Sequence, residues 1–276
     1  LKIKDNVLYF GGRSTVELAE KYGSPIYVMD EQKIRENCRK YVNAMHQYFG
    51  ENAKPFFASK ACSFKKIYNI IESEGMCADV VSCGEIYTAM KSGFNMKNVC
   101  FHSNSKNDYD INFAMDCGVG CFACDNEEEL EAINKFAGER GIKQEIIFRV
   151  TPGIDTHTYE AVNTGKVDSK FGFPIETGSA MSITQKALAL PNINLAGFHC
   201  HVGSQLFESS VFVRSAEIML QFIADVKSKT GFEARVLDLG GGYGVRYTEN
   251  DPVIDIEDNI RQVAEFVKAK CAELSL

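Results

Sequence analysis

Phe198-His-Cys-His-Val-Gly-Ser-Gln205, followed at residue 236 by Val-Leu-Asp-Leu-Gly-Gly-Gly-Tyr-Gly244, is the stretch that decides the fold. In each run an apolar strand breaks off into small and polar residues, which is how a (β/α) barrel presents its active-site face. The glycines at Gly240, Gly241 and Gly242 allow backbone N–H groups to close on a phosphate, and His201 and Ser204 would stand beside it. The run fails the G-x-G-x-x-G pattern of dinucleotide sites, because the last position falls on Val245 or Tyr247. A single phosphate is the better fit.

Working outward, strand-like runs begin near Pro55, Cys77, Val99, Val119, Glu145, Leu195 and Val236, with helix-like stretches between them. Among the helices are Phe64 to Glu74, Glu85 to Ser92, Glu127 to Arg140, Ser210 to Thr230 and Asp255 to Leu274. This alternation predicts parallel βα units. The longest interruption, Thr151 to Thr177, is expected to be a substrate-side loop on the C-terminal face. The expected architecture is α/β, a (β/α)8 TIM-type barrel with seven strands in this chain and the eighth absent. Residues 1 to 30 read differently, with extended pieces at Val7 to Phe10 and Pro25 to Met29, and Asp30 is placed to cap the helix that follows.

Composition narrows the function. The 276 residues are 45% hydrophobic, enough for one large core, and the formal charge of −7 offers no basic stripe for nucleic acid or an anionic membrane. No apolar run of about 18 residues and no leader-like N-terminus is evident, which points to a cytoplasmic protein. The ten cysteines lie mostly in apolar, strand-like runs and read as reduced. Cys121 and Cys124 have C-x-x-C spacing, but three residues apart on a strand they face opposite sides.

Lys60 ends the first barrel strand in Phe56-Phe-Ala-Ser-Lys-Ala-Cys62. A lysine there points into the barrel mouth, where desolvation would lower its pKa and free the amine as a Schiff-base nucleophile; the alternative is a solvated strand-end lysine. His199 and His201 share a strand face with Cys200 opposite. Packing, metal ligation and stacking on an aromatic cofactor are all open to such a pair. Only His46, His102 and His157 could supply further imidazoles, so no metal site is assigned.

The ordered segments F-A-S-K-A (57 to 61), A-D-V-V-S-C-G-E (78 to 85), S-K-F-G (169 to 172), H-C-H-V-G-S-Q (199 to 205) and L-D-L-G-G-G (237 to 242) resemble the alanine-racemase-like, fold-type III pyridoxal phosphate decarboxylases. Gln205 and the S-K-F-G form are most similar to the branch acting on meso-diaminopimelate. The resemblance implies pyridoxal 5'-phosphate as cofactor. Lys60 would hold it covalently, His201 would stack on its ring, and Ser204 with Gly240, Gly241 and Gly242 would hold its phosphate. Asp79 would lie near Lys60, while His102 and Arg149 would face the site. The implied reaction is decarboxylation of meso-2,6-diaminopimelate to L-lysine and carbon dioxide. Decarboxylation of ornithine, arginine or carboxynorspermidine, a racemase, and a non-catalytic relative like the antizyme inhibitors are the alternatives.

The family pattern also has parts not found here. They are an E-P-G-R segment after strand eight and a C-terminal β domain whose cysteine motif reaches the partner in a homodimer. The expectation is therefore residues 1 to 30 as strands associated with that β domain, residues 31 to 276 as an incomplete pyridoxal phosphate-binding barrel, and a homodimer at full length. Cys83 stands where the family has glycine, so a different local turn is expected there.

Overall fold

Residues 1–154 and 170–276 are described by the computed structural model. The chain opens with a small antiparallel sheet of β1 (Lys2–Lys4), β2 (Val7–Phe10) and β3 (Arg13–Ser14), separate from the barrel strands. Helix α1 (Thr15–Tyr22) follows directly, its first turn capped by the Ser14 hydroxyl, which accepts from the Glu17 N–H at 3.3 Å. The expected extended piece at Pro25 to Met29 is not a strand. It pairs with no strand among the described residues, and Tyr27 lies fully in solvent.

Asp30 caps α2 (Glu31–Phe49) as its position in the sequence predicts. The barrel units then run β4 (Phe56–Ala58), α3 (Lys65–Ser73), β5 (Cys77–Val80), α4 (Cys83–Ser92), β6 (Val99–Phe101), α5 (Asp108–Asp116), β7 (Cys121–Cys124), α6 (Glu127–Glu139) and β8 (Gln144–Thr151). After the two-residue β9 (Phe173–Pro174) come α7 (Ser179–Leu188), β10 (Ile193–His199), α8 (Ser209–Thr230), β11 (Val236–Asp238) and α9 (Ile256–Leu274). All seven expected barrel strands are present, parallel, and ordered β4-β5-β6-β7-β8-β10-β11. Every neighbour in space is the neighbour in sequence. β9 adds to the end of β8.

The two faces of the sheet bury different things. Ala78, Val80, Phe101, Phe122, Cys124, Ile146, Phe148, Leu195 and Phe198 point outward into the main core beneath the helices. Cys100, Ala123, Ile147 and Ala196, with Cys121 against them, fill the interior. Cys121 and Cys124 therefore lie on opposite faces, and no redox or metal pair forms from them. A register shift between Leu195 and Gly197 changes the parity of β10, sending Phe198 out and leaving His199 inward. β4 and β11 do not pair with each other, but the helical layer closes across them: Phe49 of α2 shares an apolar cluster with Val263 and Val267 of α9.

Candidate active site

Parallel strands place the ends of all their interior columns on one face. Here those ends carry Asp79, His102, Asp125, Arg149, His199 and Asp238, a ring of ionisable side chains above the apolar interior. Lys60 sits at the same end, on a single 3₁₀ turn (Ser59–Ala61) after β4, closed by the Cys62 N–H donating to the Ser59 carbonyl at 3.0 Å. Contrary to the expectation of a desolvated amine, Lys60 is exposed. It belongs to the edge strand, so no neighbouring strand covers its outer side. Its charge is nevertheless felt at Asp79, Glu85 and His201.

Contacts around the ring are close. His102 Nε2 lies 3.9 Å from Asp79 Oδ1, and the rings of His102 and His199 meet edge to face at 4.8 Å. His199 Nδ1 lies 2.9 Å from Asp238 Oδ2, while Arg149 Nε is 3.8 Å from Asp125 Oδ1. Arg149 also stacks on the Phe171 ring at 3.9 Å, and Asp125 Oδ2 accepts the Gly172 N–H at 3.1 Å. Among the described residues no group of three or more His, Cys, Asp or Glu side chains is arranged to hold a metal ion.

Burial shapes the charge states. It pushes the Asp79 carboxyl up to about 7, against the opposing charges of Lys60 and Arg149. Burial, aided by His199, Lys60 and Arg149, takes His201 down to about 3, so its ring is neutral. His102 is lowered for the same first reason, with His199 adding to it. Asp238 goes the other way. Burial would raise it, but His199, His102 and the Gly240 N–H together hold it well below the usual carboxylate range.

The glycine run closes the site on the β11 side. Gly240 (φ 70°) and Gly242 (φ 103°) occupy backbone conformations that side chains disfavour. A Cβ on Gly240 would lie 2.6 Å from the Cys200 carbonyl and 2.9 Å from His201 Nδ1, and one on Gly242 would collide with the Gly203 carbonyl. The loop bearing Ser204 is pinned alongside. Leu206 N–H donates to the Gly242 carbonyl at 2.9 Å, and Gly244 N–H donates to the Leu206 carbonyl at 2.8 Å. Gln205 clasps Val245 twice, its Oε1 accepting the Val245 N–H at 2.9 Å and its Nε2 donating to the Val245 carbonyl at 3.1 Å.

One expected donor is corrected. Gly240 N–H is already given to Asp238 Oδ1 at 2.7 Å, so it cannot face a phosphate. The N–H groups of Gly241 and Gly242 donate to no described residue. These features fit a pyridoxal phosphate group: two N–H donors without an acceptor among the described residues, Ser204 alongside Gly242, a neutral half-buried imidazole, an accessible lysine, and a buried Asp79 oxygen without a hydrogen-bond partner among the described residues.

The sequence reading brings together Lys60, Asp79, His102, Arg149, His201, Ser204 and the glycines, as found. It gives His199 no role and misses Asp125 and Asp238. The available signal was parity: Asp125 follows Ala123 on the interior column of β7, and Asp238 ends β11 one residue from its outward neighbour Leu237. It also misses the buried Lys106–Glu129 pair, which has no sequence signature. Cys83 does not create an unusual turn. It opens α4 behind a Ser82 cap, where glycine's freedom is not required. Ser169 of the S-K-F-G segment and His157 lie outside the described residues.

Residues 31–275 match the family described as pyridoxal-dependent decarboxylase, pyridoxal binding domain. The chain belongs to that family. It is 39% identical to a diaminopimelate decarboxylase of Bacillus methanolicus over 98% of this chain and 62% of the relative. Against the diaminopimelate decarboxylase of Bacillus subtilis it is 37% identical, over 95% of this chain and 59% of the relative. The crystal structure of diaminopimelate decarboxylase from M. jannaschii superposes with a TM-score of 0.87 at 32% identity, covering 99% of this chain and 63% of that one. The Helicobacter pylori enzyme complexed with L-lysine gives 0.82 at 27% identity, covering 95% and 64%. The chain thus spans about three fifths of the length of the relatives it matches.

Proposed function

We propose that this chain is the cofactor-binding part of a pyridoxal phosphate-dependent decarboxylase that converts meso-2,6-diaminopimelate to L-lysine and carbon dioxide. The observation that carries the reading is the pairing, on one barrel face, of Lys60 at the end of β4 with the Gly241 and Gly242 N–H groups after β11, which have no acceptor among the described residues. His201 lies against Gly240 and within electrostatic reach of Lys60. Family membership and the similarity to enzymes named diaminopimelate decarboxylase support the substrate.

When bound, pyridoxal phosphate supplies an electron sink for the pair left behind as the carboxylate departs. The protein's own residues do the rest. Gly241, Gly242 and Ser204 fix the phosphate end, and the neutral His201 ring provides a flat face that does not repel a cationic pyridine. Lys60 would supply the amine that holds the carbonyl end, and its ammonium would be the proton donor on that side of the site. Arg149, stacked on Phe171 and braced by Asp125, presents a guanidinium to a substrate carboxylate. Holding the scissile bond in one orientation is where much of the rate enhancement of such sites originates.

The test is carbon dioxide release from meso-diaminopimelate by the complete natural polypeptide supplied with pyridoxal phosphate, with L-ornithine and L-arginine as parallel substrates. Release from meso-diaminopimelate at a kcat/KM well above the other two is expected. A preference for ornithine or arginine would overturn the substrate, and no turnover of any would overturn the enzyme reading.

A further inference from the structure

We propose that Asp238 is a positioning residue that shapes the phosphate cradle by holding Gly240 turned away from the ligand. The proposal rests on the reading above, in which that cradle holds the phosphate of pyridoxal phosphate. No part of the sequence reading gives Asp238 a task, yet its side chain and backbone together hold three neighbours.

Three anchors meet on it. Its Oδ1 accepts the Gly240 N–H at 2.7 Å, its Oδ2 lies 2.9 Å from His199 Nδ1, and its backbone carbonyl accepts the Cys200 N–H at 2.9 Å. The first anchor is an Asx turn, in which an aspartate oxygen takes the N–H two residues on and forces the chain to reverse. That reversal is visible in the Gly240 φ of 70°. Because Gly240 N–H is held by Asp238, the next two N–H groups are the ones without acceptors among the described residues, alongside Ser204. A phosphate would meet donors already oriented, with no loop ordering required on binding.

The second anchor turns the carboxylate toward β10: Oδ2 faces His199, 6% exposed in its side chain, and leaves Oδ1 to accept the Gly240 N–H. Asp238 itself keeps 36% of its side-chain surface. The third anchor ties β11 to β10, so the cradle moves with the His201 strand rather than independently of it.

The distinguishing experiment compares two probes, pyridoxal 5'-phosphate and pyridoxal, which lacks the phosphate, binding to the complete polypeptide freed of cofactor. Asp238→Ala should weaken pyridoxal phosphate binding about ten-fold or more, the scale of one lost hydrogen bond to a charged group, while changing pyridoxal binding far less. Asp238→Asn keeps an acceptor for Gly240 N–H and should restore most of the phosphate preference. Equal losses for both probes, tracking a fall in thermal midpoint, would show a merely structural role and overturn the proposal. A second measurement needs no variant: in the cofactor-free protein the Gly240 amide should be protected from hydrogen exchange, and the Gly241 and Gly242 amides should gain protection only when pyridoxal phosphate is added. A Gly240 amide that exchanges as freely as Gly241 would also overturn it. If the unsubstituted protein binds pyridoxal as tightly as pyridoxal phosphate, the cradle reading itself fails and this proposal falls with it.

Discussion

Lys106 offers a stringent test of how the site's rim is held. Its Nζ is fully buried and donates to the Ser103 carbonyl at 2.7 Å, the Ala123 carbonyl at 2.8 Å and Glu129 Oε2 at 3.0 Å. Glu129, 2% exposed in its side chain, also accepts the Lys106 N–H at 3.3 Å and the Asp125 N–H at 3.0 Å. One ion pair thus knits the loop after β6, which carries His102, to the loop after β7, which carries Asp125. Lys106→Met fills the space but strands a buried carboxylate, and breaking a buried pair in this way destabilises by about 3 to 5 kcal/mol. For a chain of this size that corresponds to a fall in thermal midpoint of roughly 6 to 20 °C. The double variant Lys106→Met with Glu129→Leu removes the stranded charge, yet leaves the Asp125 and Lys106 N–H groups without an acceptor. It should be less damaged than the sum of the two single variants, with a coupling of about 1 to 3 kcal/mol. Urea unfolding of the four proteins, with slopes compared, measures each number. Lys106→Met within about 1 kcal/mol of the parent would refute the reasoning, since it would mean the carboxylate finds water or a proton without penalty.

The remaining predictions concern the site directly. Borohydride treatment of the pyridoxal phosphate-loaded protein should label Lys60 and abolish the visible absorption band; a label on another lysine refutes the assignment. His201→Ala should weaken cofactor retention and slow turnover while chelators have no effect, and activity lost to a chelator but restored by zinc would reverse that view. Asp79 carries a pH signature. Its carboxyl is raised by burial from 3.8 to about 7, so the folded chain keeps a proton that the unfolded chain releases, and stability falls as pH rises through that window. Asp79→Asn in the cofactor-free protein should therefore gain on the parent in urea midpoint as pH goes from about 4 to about 7. A gain confined to acid pH would show the sign to be wrong.

How much of this was legible beforehand differs from element to element. Hydrophobic runs and their spacing were enough for all seven barrel strands and their parallel order, because a parallel strand covered on its outer face must be written in apolar residues wherever it occurs. The glycine run, Lys60 and His201 stood out as candidates for a related reason: each follows a strand whose apolar pattern breaks off at the end where the candidate site lies. Pro25 to Met29 shows the limit, since a strand-like sequence is a strand only if a second one arrives to pair with it.

Sequence alone was enough for the order of the units and for the strand ends that form the candidate site. Only the tertiary structure decided which groups pair and which stay free. That Gly240 spends its N–H on Asp238 while Gly241 and Gly242 keep theirs depends on a turn closed by a side chain. That Asp79 is raised and Asp238 lowered, though both are strand-end aspartates, depends on what surrounds each: burial dominates at Asp79, whereas His199, with Nδ1 at 2.9 Å, His102 and the Gly240 N–H overcome it at Asp238. Local propensity can write a strand, but hydrogen bonds and charges act through space, and in a barrel that space is assembled only when every strand is in register.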